Sequence, residues 1–306
     1  MTKSNHTNPS EPARQRFGLG ALDLHLGGGL RPGTLTVIAG ATGAGKTQLG
    51  LRWAAFGRDQ EAAPGALVDV TSRGDPQNHE EYARNQLDWE LTHFAADRSL
   101  DWDALWDLDR PIGEIYRPFA TTGRRVTRPD LDPDAWHAWQ MDMARVLRQT
   151  AAYAYGHLVR GARRFVVDGF EPTGRASESA QFDYFEYLYE RILRQDHGWA
   201  ARELFREAFR AQESRVAAHP YDPSRTGVVV LYTTPQTFLD DLLAAPIGGG
   251  DLMATANTVI LMGRTRRSDG ALGRALMVVK HRGSACRDEP LAYTLTHSGP
   301  VFHVED

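Results

Sequence analysis

One stretch constrains this chain more than any other. Gly40-Ala41-Thr42-Gly43-Ala44-Gly45-Lys46-Thr47 fits G-x-x-x-x-G-K-[ST] at every specified position. The glycines let the backbone curl so that successive N–H groups face one concavity and bind phosphate oxygens. Such a loop needs a strand before it and a helix after it, and the sequence offers both. The run TLTVIA (34–39) is short and β-branched, and in QLGLRWAAFG the apolar Leu49, Trp53 and Phe56 recur at helical spacing. The helix turns its positive N-terminal end toward the same anion. Lys46 is expected to reach the β- and γ-phosphates of ATP, and Thr47 to ligate Mg²⁺ through its hydroxyl. A chance match is improbable where the only lysines are Lys3, Lys46 and Lys280.

Further along, hydrophobic runs and helical patterns alternate, which implies an α/β fold with a mainly parallel sheet. Strands are expected at 65–71 (GALVDVT), 164–168, 227–233, 258–262, 275–280 and 292–296, with another near 301–304. A helix is expected around Glu80 to Leu87. A long one is expected to open at Asp132-Pro133, with Asp as N-cap and Pro at the first helical position. Phe182, Phe185, Leu188, Tyr189, Ile192 and Leu193 mark another, and 204–209 a further one. Residues 88–131 break the rhythm: Trp89, Trp102, Trp106 and the acidic DWDALWDLD give way to Arg124, Arg125 and Arg128, so an irregular insertion is expected there.

Composition excludes several classes. A chain of 306 residues, 42% hydrophobic, can bury a large core. Residues 1–16 are polar and hold Pro9 and Pro12, so they are expected to form a disordered tail and not a signal peptide. No apolar run is long enough to span a bilayer. The single cysteine, Cys286, excludes an internal disulfide and a Cys-based zinc site, which suits a cytoplasmic location. A formal charge of −4 gives no general affinity for nucleic acid.

The segment LGALDLHLGGGLRPGTLTVIAGATGAGKT resembles the entry to the RecA superfamily, in particular its KaiC and RadA-like branch. RRFVVDGF is similar to that family's Walker B strand, and ALMVVKHRGS with YTLTHSG to its C-terminal antiparallel hairpin. The likeness covers roughly 17–87 and 135–303. It implies one RecA-like P-loop NTPase domain over 17–306, with insertions near 88–131 and 174–226. It also implies a Mg²⁺-dependent ATPase whose sites lie between subunits of a homo-oligomeric ring or filament. Asp168, an acid ending a hydrophobic strand, would join Thr47 in holding Mg²⁺. Lys280 and Arg282 match the family's K-x-R-G segment, which reaches the γ-phosphate on a neighbouring subunit in the manner of an arginine finger. Gln236, with Thr233 and Thr234, follows the fourth strand where a RecA-like core senses that phosphate.

The chain also departs from the pattern. Where the family has a water-polarising glutamate after the second strand, this sequence has Arg73 and Gly74. Asp75, Glu80, Glu81 and Glu171 are the acids within reach of that role, and the sequence does not choose among them. Binding without turnover, as in a regulatory pseudo-ATPase or scaffold with an unidentified protein partner, is therefore the first competing reading. The second is a RadA-like DNA repair enzyme. It is disfavoured because 235–256 has no Lys or Arg and carries Asp240, Asp241 and Asp251, a loop that repels a nucleic-acid backbone.

Overall fold

The computed structural model describes residues 13–71, 78–94, 102–110, 112–119, 132–171, 180–244, 251–267 and 269–303. Arg14 to Arg16, which composition assigns to the tail, are held against the body. Gln15 exchanges backbone hydrogen bonds with Leu30, and its buried amide donates to the carbonyls of Arg163 and Arg225 at 2.9 and 3.3 Å. Helix α1 (Gly20–His25) leads to β1 (Leu35–Gly40), α2 (Lys46–Ala55), α3 (Gly57–Glu61), β2 (Ala66–Asp69) and α4 (His79–Leu87). β2 is shorter than its apolar run: the Val70 N–H still donates to the Asp168 carbonyl at 2.8 Å, and the Thr71 N–H turns to the Asp69 carboxylate at 3.0 Å.

The segment expected to be an irregular insertion instead builds the sheet. β3 (Thr92–His93), α5 (Trp102–Leu105) and β4 (Glu114–Tyr116) follow in order, and β4 pairs in parallel with β2, β3 with β4. Strands of two and three residues are too short for an alternation to register in the sequence. Arg124, Arg125 and Arg128 lie outside the described residues, as do Arg73, Gly74 and Asp75. The long helix α6 (Pro133–Val159) starts where expected, with the Asp132 carboxylate accepting from the Ala135 N–H at 2.8 Å.

Then come β5 (Arg164–Phe170) and α7 (Ala180–Glu186), which runs into a π-helical turn (Tyr187–Leu193), followed by α8 (His197–Phe205) and α9 (Phe209–Ala218). These helices pack Leu188, Ile192, Ala201 and Leu204 into the main core, so the second expected insertion shares that core. The remainder is β6 (Gly227–Thr233), α10 (Leu239–Ala244), α11 (Asp251–Thr255), β7 (Thr258–Arg266), β8 (Leu272–His281), β9 (Leu291–Thr296) and β10 (Gly299–Phe302).

Among the described residues, ten strands form one sheet in the order β10-β9-β8-β7-β1-β6-β5-β2-β4-β3. β1 to β7 pair in parallel, while β7 to β10 form an antiparallel C-terminal extension. Alternation along the strands sorts side chains to two faces. Val37, Val167 and Val230 meet α6 and the helices after β5, whereas Ile38, Val166 and Val229 meet α1 and α2. A mainly parallel sheet covered on both faces is an α/β architecture, and it gathers the C-terminal ends of β1, β2, β5 and β6 along one edge. Among the described residues, no helix is long and apolar enough to cross a membrane.

Candidate functional site

β1 reaches that edge at Gly40, flanked in register by Thr233 of β6 and Met262 of β7. The fit is close: a Cβ on Gly40 would stand 2.2 Å from the Met262 carbonyl oxygen. The chain then turns through Gly43 (φ +79°) and Gly45 (φ +94°), left-handed values that favour glycine, and enters α2 at Lys46. The carbonyls of the turn are taken from within the protein. Lys46 Nζ donates to the oxygens of Gly40 and Ala41 at 2.9 and 3.0 Å, and the Tyr293 hydroxyl of β9 donates to that of Ala44 at 2.7 Å. The first N–H groups of α2 have no acceptor inside the helix, so a curl of donors faces outward beside a buried ammonium. Burial pushes the Lys46 pKa down, against the pull of the Asp168 and Glu171 carboxylates.

Asp168 sits on β5 at an irregularity in its pairing with β6, and only 4% of it is exposed. Its Oδ2 accepts from the Thr47 hydroxyl at 2.7 Å and lies 2.9 Å from His79 Nε2, while Oδ1 accepts from the Gly169 N–H at 2.7 Å. Burial alone would raise this pKa, but the hydrogen bond and charge of His79, with the Thr47 bond, hold it below the usual carboxylate range. For His79 burial works toward the neutral ring, and the Asp168 bond together with the charges of Asp168 and Asp69 outweighs it, so its pKa is raised. Asp69 stands beside Asp168 in register across β2 and β5 and accepts from Arg117 Nε at 3.3 Å. Arg117 also holds Glu80 at 3.0 Å.

Lys46, Thr47 and Asp168 border a cleft of about 410 Å³. Of the expected site residues, Thr42, Gly43, Gly45, Lys46, Thr47, Asp168 and Glu171 line it. Gly40, Ala41 and Ala44 form the base of the loop behind that wall. Thr233 lines the cleft, whereas Gln236 does not; its carbonyl accepts from the Thr234 hydroxyl at 3.4 Å. Lys280 and Arg282 are not brought to their own chain's cleft. Lys280 Nζ donates to the carbonyls of Met253 and Ala254, both at 2.9 Å, at the end of α11, and Arg282 is exposed.

The open choice among acids narrows here. Glu80 is bound to Arg117 and lies 2.6 Å from His93 Nε2, Glu81 is exposed, and neither lines the cleft. Glu171 does, and its backbone N–H donates to the buried Gln181 side chain at 3.0 Å. The Gln181 amide in turn donates to the carbonyls of Val70 and Gly169 at 2.8 and 2.9 Å, tying the ends of β2 and β5 together. Sequence reasoning missed His79, Asp69, Arg117 and Gln181. Only Asp69 left a signal, since β2 carries an Asp after an apolar run just as β5 does.

Among the described residues, no group of three or more His, Cys, Asp or Glu side chains is arranged to hold a metal. Thr47 Oγ1 and Asp168 Oδ2 supply a converging hydroxyl and carboxylate, a hard oxygen pair that suits Mg²⁺ only if water or a phosphate completes its shell. No family model and no curated protein matches this chain.

Proposed function

We propose that this protein is a Mg²⁺-dependent ATPase of RecA-like fold, similar to the KaiC and RadA-like branch, that acts as a homo-oligomer. The observation that carries the reading is the meeting of Thr47 and Asp168 at 2.7 Å beside the buried Lys46, at the mouth of a glycine-turned loop. Two segments 121 residues apart in the chain converge there on one cleft. β6 lies between β1 and β5 and delivers to the cleft Thr233, one of the three residues that the resemblance places where a RecA-like core senses the γ-phosphate.

The residues divide the work. The loop amides and the N-terminal end of α2 bind phosphate oxygens, and Lys46 leaves its two carbonyls to neutralise the β- and γ-phosphates. Thr47 and Asp168 hold Mg²⁺, which when bound offsets charge on the transferring phosphoryl group. Glu171, a cleft carboxylate not committed to the metal, takes the proton from the attacking water. Lys280 and Arg282 serve the cleft of the adjacent subunit, a role compatible with their distance from their own.

The regulatory reading, binding without turnover, draws on one observation: Glu80 is locked in ion pairs instead of facing the cleft. One experiment separates the two. Size-exclusion with light scattering is run with and without Mg·ATP, and phosphate release is measured on the same fractions. The ATPase reading expects ATP-promoted assembly and turnover, both lost in Lys46→Ala. Saturable ATP binding with no phosphate release favours the switch, and no binding of any nucleoside triphosphate removes both.

A further inference from the structure

We infer that His79 is a positioning residue of this site: it lies between the paired carboxylates of Asp69 on β2 and Asp168 on β5 and holds Asp168 in the orientation that meets Thr47. The inference rests on the function proposed above and adds a group that no phosphate-loop or strand motif contains.

The geometry is specific. His79 opens α4, directly after Asn78 in the left-handed region (φ +53°), and is 1% exposed. A carboxylate only accepts, so the 2.9 Å contact to Asp168 Oδ2 requires a proton on Nε2. The other nitrogen, Nδ1, has no hydrogen-bond partner and stands 3.8 Å from Asp69 Oδ2. Imidazole therefore lies between two carboxylates that are buried and neighbours in register. Two like charges side by side in a dry strand pair repel. For stability alone, a neutral residue at either position would remove the strain more simply than a third polar group. Keeping both acids and adding a donor makes sense where the Asp168 carboxylate must stay correctly turned.

The surroundings fix the imidazole as well. Asp69 is anchored by Arg117 and by Thr71, and Glu80, the residue after His79, is bound by the same Arg117. The short strand β4, which ends one residue before Arg117, thus braces the site from outside the motif-bearing strands. Three residues on from His79, on the same face of α4, Tyr82 lines the cleft. Partners of this kind, which orient a ligating side chain without touching the metal, typically govern metal affinity by about 10- to 100-fold.

The test is calorimetric titration of ATP into the full chain over a series of Mg²⁺ concentrations and in excess chelator. It compares wild type, His79→Ala and His79→Gln, each first checked for wild-type circular dichroism. His79→Ala should raise the Mg²⁺ concentration for half-maximal affinity by roughly 10- to 100-fold. Its chelator-state affinity, set by the loop, should stay within about twofold of wild type, below the tenfold that about 1.4 kcal/mol represents. His79→Gln, whose amide can donate to Asp168, should recover most of the loss; if the alanine variant does not fold, the His79 ring-nitrogen NMR signals of wild type and Asp168→Asn carry the test instead.

An unchanged Mg²⁺ dependence in His79→Ala overturns the inference. So does an equal loss with and without Mg²⁺, which is the mark of a merely structural residue. Absence of nucleotide binding by the wild-type protein strikes the proposed function itself. A ring-nitrogen NMR spectrum then still reports whether Asp168→Asn shifts His79, as the bridge requires.

Discussion

His157 should make this fold acid-sensitive through one residue. Its imidazole is fully buried, and both nitrogens are committed to the neutral ring. Nδ1 faces the Tyr153 carbonyl at 2.8 Å and so donates, while Nε2 accepts from the Glu114 N–H at 3.4 Å. A second ring proton would be aimed at that N–H. Burial is the main cause holding the pKa down to about 3, and the charge of Arg160 adds to it.

The sign follows from linkage. Below the ordinary histidine value the unfolded chain takes up a proton that the folded chain refuses, so stability falls as pH falls, until the folded group titrates near pH 3. Each pH unit in that window costs about 1.4 kcal/mol, which between pH 7.5 and pH 4.5 integrates to about 2.7 kcal/mol. His157→Gln removes the titration and leaves every other group in common. Urea unfolding of both proteins across this range should show the wild-type advantage shrinking by about that amount at acid pH. A difference between the two that stays constant with pH refutes the reasoning, as does an NMR titration placing His157 near its ordinary value.

Three further outcomes follow from the same structure. Gly40→Ala puts a Cβ 2.2 Å from a backbone carbonyl and should destabilise the fold by about 1–3 kcal/mol, whereas a Cβ on Gly43 meets nothing within 4 Å, so Gly43→Ala should cost only its backbone conformation, about 1–2 kcal/mol; urea midpoints rank the pair. Tyr293→Phe strips the Ala44 carbonyl of its donor, at a cost of about 1–3 kcal/mol, and hydrogen exchange should quicken at Gly43 to Gly45 while β5 amides stay protected. Arg164 is fully buried and its guanidinium donates to Glu61, Gln60 and the carbonyls of Arg16 and Trp53, so Glu61→Ala leaves a buried charge underpaired and should cost about 3–5 kcal/mol by chemical denaturation.

What the sequence disclosed, and what it hid, divides by how far apart the partners lie along the chain. The phosphate loop is contiguous, so its eight residues could be read directly, and they run from the end of β1 at Gly40 through the turn into α2 at Lys46 and Thr47. Asp132-Pro133 was equally legible, because an N-cap acts within its own first turn. Asp168 was legible as the acid after an apolar run, although β5 continues past it to Phe170. That it touches Thr47 could only be expected through resemblance, since the two are 121 residues apart.

The bracing of the site left no local trace. His79, one of eleven histidines, gains meaning only when β2, β5 and α4 meet, and Arg117 only when β4 joins the sheet beside β2. β4 itself is held from the opposite side by α6, where the Tyr153 hydroxyl contacts the carbonyls of Leu67 and Glu114 at 2.7 and 2.6 Å. A three-residue strand has too little pattern to announce itself and too few ladder bonds to stand alone. The segment that looked like an interruption of the fold is therefore the part that connects α6, through β4 and Arg117, to the carboxylates of the cleft. A substitution in α6 that loosens Tyr153 should be felt at Asp69 before it is felt at the phosphate loop.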